Sequence, residues 1–177
     1  MVKSNKYTLK IIIIGEPAVG KTSLVKKFIS GKFTQDYRAS IGTNIFIKKI
    51  KLKNETNISI QIWDIAGQER WTNLRRPYYT GARGVIIVGD LTRKNTFYQI
   101  EEFWVPDINQ YCDIVPIILL ANKSDLETQI SESEIDFLGK KINALSIIYT
   151  SAKTGENVET AFKKISEEAV KTINNKK

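Results

Sequence analysis

The sequence predicts a three-layer α/β domain: a six-stranded, mostly parallel sheet with one antiparallel edge strand, between layers formed by five helices. Two observations carry this. Short β-branched runs alternate with longer segments of helical periodicity, the pattern of a parallel sheet covered on both faces. The glycine-rich and polar motifs then fall where strands end, which is where ligands sit in such sheets. The 177 residues fit one domain over residues 1–177, large enough to bury its own core.

Leu9 to Ile14 reads as a strand buried on both faces. A glycine-rich turn and a helix from Thr22 to Ser30 follow, then a polar loop from Gly31 to Gly42. Thr43 to Lys53 and Asn57 to Asp64 read as strands joined by a short Asn-Glu-Thr turn, an antiparallel hairpin. Val85 to Leu91 is a further buried strand. The helix after it spans Thr96 to Gln110, with Phe97, Ile100, Phe103 and Trp104 on one face. Ile114 to Ala121 is the fifth strand. Ser131 with Glu134 three residues on makes a capping box that opens a helix. Ser146 to Thr150 is the sixth strand, and Val158 to Ile173 the final helix.

Composition narrows the chemistry. One cysteine, Cys112, excludes an intramolecular disulfide, and the lack of histidine excludes Cys/His zinc sites and histidine general bases. The expected setting is reducing and cytoplasmic. The net charge of +8 reads either as a lysine-rich solubilising surface or as attraction to an acidic partner, a membrane surface or nucleic acid. No aromatic-interleaved basic stretch supports nucleic acid. With Val2 in second place N-myristoylation is not expected, and the tail as given, Asn174-Asn175-Lys176-Lys177, has no cysteine to prenylate, so either a tail has been removed or anchoring by prenylation is not expected. Membrane contact is therefore expected to be weak or indirect, at most peripheral.

Gly15-Glu16-Pro17-Ala18-Val19-Gly20-Lys21-Thr22 matches G-x-x-x-x-G-K-[ST] between a strand and a helix, the setting a phosphate loop requires. Glycines let the backbone come close to a polyphosphate, whose charge meets N–H groups and the helix N-terminus. The phosphate-binding set runs from Gly15 through Ser23. Lys21 is the cation for the β- and γ-phosphates, and the Thr22 hydroxyl is a ligand for Mg²⁺. Pro17 is unusual here, since it brings no N–H and stiffens the loop.

Asp64-Ile65-Ala66-Gly67-Gln68 follows a strand, about forty residues after the phosphate loop. Asp64 is expected to hold Mg²⁺ through water, Gly67 to offer its N–H to a γ-phosphate, and Gln68 to orient an attacking water. Asn122-Lys123-Ser124-Asp125 and Ser151-Ala152-Lys153 end the fifth and sixth strands. Guanine presents two donors, at N1–H and the 2-amino group, which Asp125 can accept. A buried Asp125 facing adenine loses both partners, at about 1–3 kcal/mol or more. The Ala152 N–H can donate to the guanine O6, and the Lys123 stem can lie across the base.

Together these segments resemble the Ras superfamily of small GTPases over essentially the whole chain, and its Rab-like branch above all. Ser40-Ile41-Gly42, Trp63 through Trp71, Tyr78-Tyr79 and Gly81-Ala82 carry the Rab likeness. The resemblance implies a P-loop NTPase fold of the Ras-like G-domain type. It implies a first switch over Gly31 to Gly42, with Phe33 on the guanine edge, Tyr37 over the phosphates and Ser40 on Mg²⁺, where threonine is usual. It also implies an aromatic patch of Trp63, Trp71 and Tyr78 for effectors, with Ile45 where Rab proteins usually have phenylalanine.

The expected function is a monomeric GTP/GDP switch, using Mg²⁺, with an exchange factor, an activating protein and effectors as partners on its switch loops. Lys21 and Gln68 carry hydrolysis, and no arginine is expected to reach the phosphates from within the chain. The alternative is a guanine-nucleotide-binding module with little hydrolysis, disabled by Pro17 and Ser40. A nucleotide kinase or an ATPase is a further rival.

Overall fold

The computed structural model describes residues 6–33, 42–52, 55–67 and 75–175. Its strands are β1 (Lys6–Ile14), β2 (Thr43–Lys51), β3 (Asn57–Ile65), β4 (Gly84–Asp90), β5 (Ile117–Asn122) and β6 (Ser146–Thr150). They form one sheet in the order β2-β3-β1-β4-β5-β6. Only β2 runs antiparallel, against β3, and every other pairing is parallel. From β1 the chain builds out to β2 on one side and to β6 on the other. The strand order therefore reverses at β1, the position where open α/β sheets bind ligands.

The helices are α1 (Lys21–Ser30), α2 (Arg75–Tyr79), α3 (Asn95–Gln99), α4 (Val105–Tyr111), α5 (Glu132–Lys141) and α6 (Val158–Asn175). A π-helical turn, Ile100–Trp104, joins α3 to α4, so the described residues hold five continuous helices, the number expected. Why β1 is apolar throughout is evident from what covers it. Leu9, Ile11 and Ile13 enter one buried core with α1 and α6, while Ile12 and Ile14 enter the other with α2 to α5. Strand side chains alternate between faces, so a strand with a core on each side needs apolar residues at both parities. Phe28 of α1 stacks on Phe162 of α6 at 4.3 Å, locking one outer layer.

Several details differ from expectation: β1 begins at Lys6, three residues before Leu9, and α2 stands where the sequence places no helix. The long helix is interrupted by its π turn, where the Val105 N–H reaches back to the Ile100 carbonyl. Pro106 lies just beyond it, near the start of α4. Proline has no N–H for the helix ladder, and its ring crowds the carbonyl four residues earlier, which favours a wider turn. The fifth strand joins the sheet at Ile117, not Ile114. Ile114 is 92% exposed, and Pro116 has no N–H to give a ladder. The hairpin's first strand ends at Lys51, and residues 53 and 54 lie outside the described residues. The capping box is present: the Ser131 hydroxyl accepts the Glu134 N–H, and the Glu134 carboxylate accepts the Ser131 N–H.

Candidate nucleotide site

The turn after β1 brings backbone to a place where only glycine fits. Gly15 has φ +139°, and a Cβ there would lie 2.3 Å from the Val88 carbonyl oxygen on β4. The loop continues through Glu16 and Pro17, passes the left-handed Ala18 (φ +62°) and enters α1 at Lys21. Lys21 is buried and donates to the carbonyls of Gly15 at 2.7 Å and Glu16 at 2.9 Å. Burial lowers its pKa to about 8, against the carboxylates of Asp64 and Glu16, which raise it, while the Arg93 charge lowers it further. An ammonium held this way gains from any polyphosphate placed beside it.

Asp64 is fully buried near the end of β3, paired in register with Ile13 of β1. The Thr22 hydroxyl donates to its Oδ2 at 2.5 Å, while its Oδ1 has no hydrogen-bond partner. Burial raises the Asp64 pKa, opposed by Thr22, Lys21, Asn44 and Lys26. A buried carboxylate with a spare oxygen, touching a hydroxyl at the start of a helix, fits Mg²⁺, which takes one or two protein oxygens and completes its shell with phosphate and water. No cluster of three or more acidic, cysteine or histidine ligands lies among the described residues, so an all-protein cage is absent there. Gly67 packs directly on the phosphate loop. A Cβ on it would lie 2.5 Å from the Gly15 oxygen, 2.6 Å from the Pro17 nitrogen and 2.7 Å from the Glu16 carbonyl carbon.

The two loops assigned to the base come together beside this cradle. Asn122 is buried at the end of β5, where its amide donates to the Val19 carbonyl at 2.8 Å and accepts from the Thr150 hydroxyl at 3.1 Å. One side chain thus ties the phosphate loop, the 122–125 loop and β6. The Ser151 hydroxyl, fully buried, donates to Asp125 Oδ1 at 2.6 Å, and Ala152 is buried next to it. Lys153 is exposed. Asp125 is also exposed in this structure, so the expected penalty for leaving it unpaired arises only when a base covers it. Phe33 is 38% exposed. Tyr37, Ser40, Gln68 and Trp71 lie outside the described residues. Of the aromatic patch, Trp63 and Tyr78 do approach, at 6.3 Å, with Ile45 opposite Trp63 in the β2–β3 register and Lys10 over the indole at 3.8 Å.

Two sets of contacts that the sequence does not reveal also reach the loop. Trp104, fully buried in the π turn, donates its indole N–H to the Glu16 carboxylate at 3.0 Å. Asp90, fully buried at the end of β4, receives Lys123 Nζ at 2.6 Å and Arg93 Nε at 2.8 Å, and Arg93 Nη2 donates to the Pro17 carbonyl at 2.8 Å. Arg93 thus holds the phosphate loop by a main-chain carbonyl, with Asp90 as its counter-charge. The available signal was a carboxylate at a strand end, the same signal that marks Asp64.

A phosphate loop at the point of strand reversal, with its lysine buried and its threonine hydroxyl on a buried carboxylate of β3, defines a P-loop nucleotide-binding domain. Comparison with known proteins agrees. The family model described as Ras family matches residues 10–171. The chain is 40% identical over 164 residues to the Ras-related protein Rab-1 of Theileria parva, covering 91% of this chain and 74% of that protein. It is 34% identical over 177 residues to the Ypt/Rab-type GTPase YPT7 of Saccharomyces cerevisiae, covering 96% and 85%. It is also 36% identical over 166 residues to the Ras-related protein Rab-32 of Homo sapiens, covering 90% and 73%. The chain belongs to the Ras family, within its Rab-like branch of GTP- and GDP-binding small GTPases.

Proposed function

We propose that this protein is a slow GTP hydrolase that works as a two-state switch, with GTP and GDP read through the loops around Gly31 to Gly42 and Asp64 to Gln68. The observation that carries this reading is the convergence at the carboxyl ends of the strands of Lys21, the Thr22–Asp64 pair, Gly67, Asn122 and the Ser151–Asp125 pair.

In this reading the phosphate-loop backbone and Lys21 hold the β- and γ-phosphates and neutralise charge as the terminal P–O bond breaks. Thr22 and Asp64, with Ser40 in the GTP form, are the residues that would hold Mg²⁺, which would supply Lewis-acid charge to the phosphates. Gln68 orients the water and Gly67 gives its N–H to the γ-phosphate. Asp125 accepts the two guanine donors, Ala152 donates to O6, and Phe33, Lys123 and Lys153 border the base. Tyr37 covers the phosphates. The reaction is GTP plus water to GDP and phosphate, with no covalent intermediate. Turnover without a partner is expected at ~10⁻⁴ s⁻¹, the order for Ras itself, and an activating protein can raise it by ~10⁵. Exchange factors, activating proteins and effectors of the kind used by the Rab branch would act on the switch loops.

A single-turnover assay with GTP tests the enzyme: phosphate release above the level of Gln68→Leu is expected. Release equal to that variant would leave a binding module in place of a hydrolase. Asp125→Asn tests the base reader. It should move preference from guanine to xanthine nucleotides, because xanthine carries an acceptor where guanine carries the amino donor. Unchanged guanine preference would sink the assignment.

A further inference from the structure

We propose that Asp90 and Arg93 form an electrostatic staple that couples the guanine side of the site to the phosphate loop, acting as positioning residues for the nucleotide. The proposal rests on the nucleotide-binding reading above.

Asp90 is a buried carboxylate with donors on both oxygens. Oδ1 accepts the Thr92 N–H at 2.9 Å and the Thr92 hydroxyl at 2.7 Å. Oδ2 accepts Arg93 Nε at 2.8 Å and Lys123 Nζ at 2.6 Å. Burial pushes its pKa up, yet the bonds from Lys123, Arg93 and Thr92 outweigh that and hold it below the ordinary carboxylate value. Two cations on one carboxylate oxygen belong to two different parts of the site. Lys123 comes from the 122–125 loop. Arg93 spends its second donor on Pro17, across 76 residues of chain.

The Pro17 contact is at a sensitive place. Pro17 has no N–H, so its carbonyl is its only main-chain hydrogen-bonding group. The next residue, Ala18, sits in the left-handed region at φ +62°, where a non-glycine residue persists only if its surroundings hold it. Arg93 holds the peptide that leads into it. The guanidinium is suited to this task because Nε and Nη2 are fixed in one plane and address two acceptors at once. A lysine has the charge but not the fork. Motion of the phosphate loop tip is thus transmitted to Asp90, and through Asp90 to Lys123.

The test is the release rate of a fluorescent GDP analogue, with the fluorescent inosine diphosphate analogue as a second probe, from wild type, Arg93→Lys, Arg93→Ala and Asp90→Asn. Arg93→Ala is expected to speed GDP release about tenfold, the order for one charge-assisted hydrogen bond, with the ratio of GDP to inosine diphosphate release unchanged. Arg93→Lys should resemble Arg93→Ala, because the bridge is lost though the charge remains. Asp90→Asn should speed release further and also change the ratio, because Lys123 loses its counter-charge and the 122–125 loop that carries Asp125, the acceptor of the 2-amino group, loses its anchor. If Arg93→Lys behaves as wild type, charge alone matters and the staple is overturned. It is also overturned if Asp90→Asn leaves the ratio unchanged, or if all variants release at the wild-type rate. Wild type failing to hold GDP at all would sink the nucleotide reading and the staple with it, an outcome distinct from normal wild type with silent variants.

Discussion

Asn122→Ala is the most informative single change for how the loops of the site hold one another. The sequence assigns Asn122 to the guanine reader, and within the protein one of its N–H groups donates to Val19 while its oxygen accepts from Thr150, both buried, which leaves its second N–H for a ligand. Truncation leaves a carbonyl and a hydroxyl without partners inside the protein. Each such group costs about 1–3 kcal/mol. The Thr150 hydroxyl can rotate toward another acceptor, so the total falls in the lower half of the summed range, about 3 kcal/mol. For a domain of this size each kcal/mol moves the melting temperature by about 2–4 °C, so a drop of about 6–12 °C is expected with GDP bound. If the same energy appeared wholly in affinity, GDP binding would weaken by roughly 150-fold. Thermal unfolding and GDP competition measured on one preparation apportion the two. A variant melting within 1 °C of wild type, with GDP affinity within twofold, would refute the view that Asn122 pins the phosphate loop to the base loops.

Two further expectations concern the loop itself. In Gly67→Ala the new methyl collides with the backbone of Gly15, Glu16 and Pro17, which cannot give way as a flexible side chain can. The affinity ratio of a non-hydrolysable GTP analogue to GDP should fall about tenfold, since the Gly67 N–H is the proposed γ-phosphate donor and one hydrogen bond to a charged group has that worth; an unchanged ratio would remove Gly67 from that role. Trp104→Phe keeps most of the buried ring but removes the donor to Glu16. Because Glu16 is partly exposed and water can replace the indole, a loss of about 1–2 kcal/mol is expected, read as a melting temperature lower by about 4 °C and faster GDP release. Equal stability and release would show that the indole bond does not support the loop.

Much of the site is visible in the chain because its chemistry is local. Lys21 and Thr22 follow their glycines within one turn, Asp64 and Gly67 lie three residues apart, and Ser131 with Glu134 caps a helix on its own residues. Such patterns specify backbone shape and donor direction without reference to the rest of the fold. The same holds for the strands, whose apolar runs mark burial on both faces. Less visible was the π turn, which combines a local cause at Pro106 with the packing of Trp104 between the sheet and Glu16.

The sequence by itself determined that four loops of known chemistry stand at strand ends: the phosphate loop, the Asp64–Gly67 segment and the two loops for the base. That is enough for a guanine-nucleotide P-loop domain, because strand alternation and motif spacing are short-range properties. Only the tertiary structure decided how those loops hold one another. Asn122 bonds Val19 across 103 residues, Trp104 bonds Glu16 across 88, and Arg93 bonds Pro17 across 76. A hydrogen bond at such separation leaves no periodic trace in the chain, and it exists because the sheet order places β4 between β1 and β5. For the same reason nothing in the chain marks Asp90 and Arg93 as partners of the phosphate loop, beside which the sheet sets them.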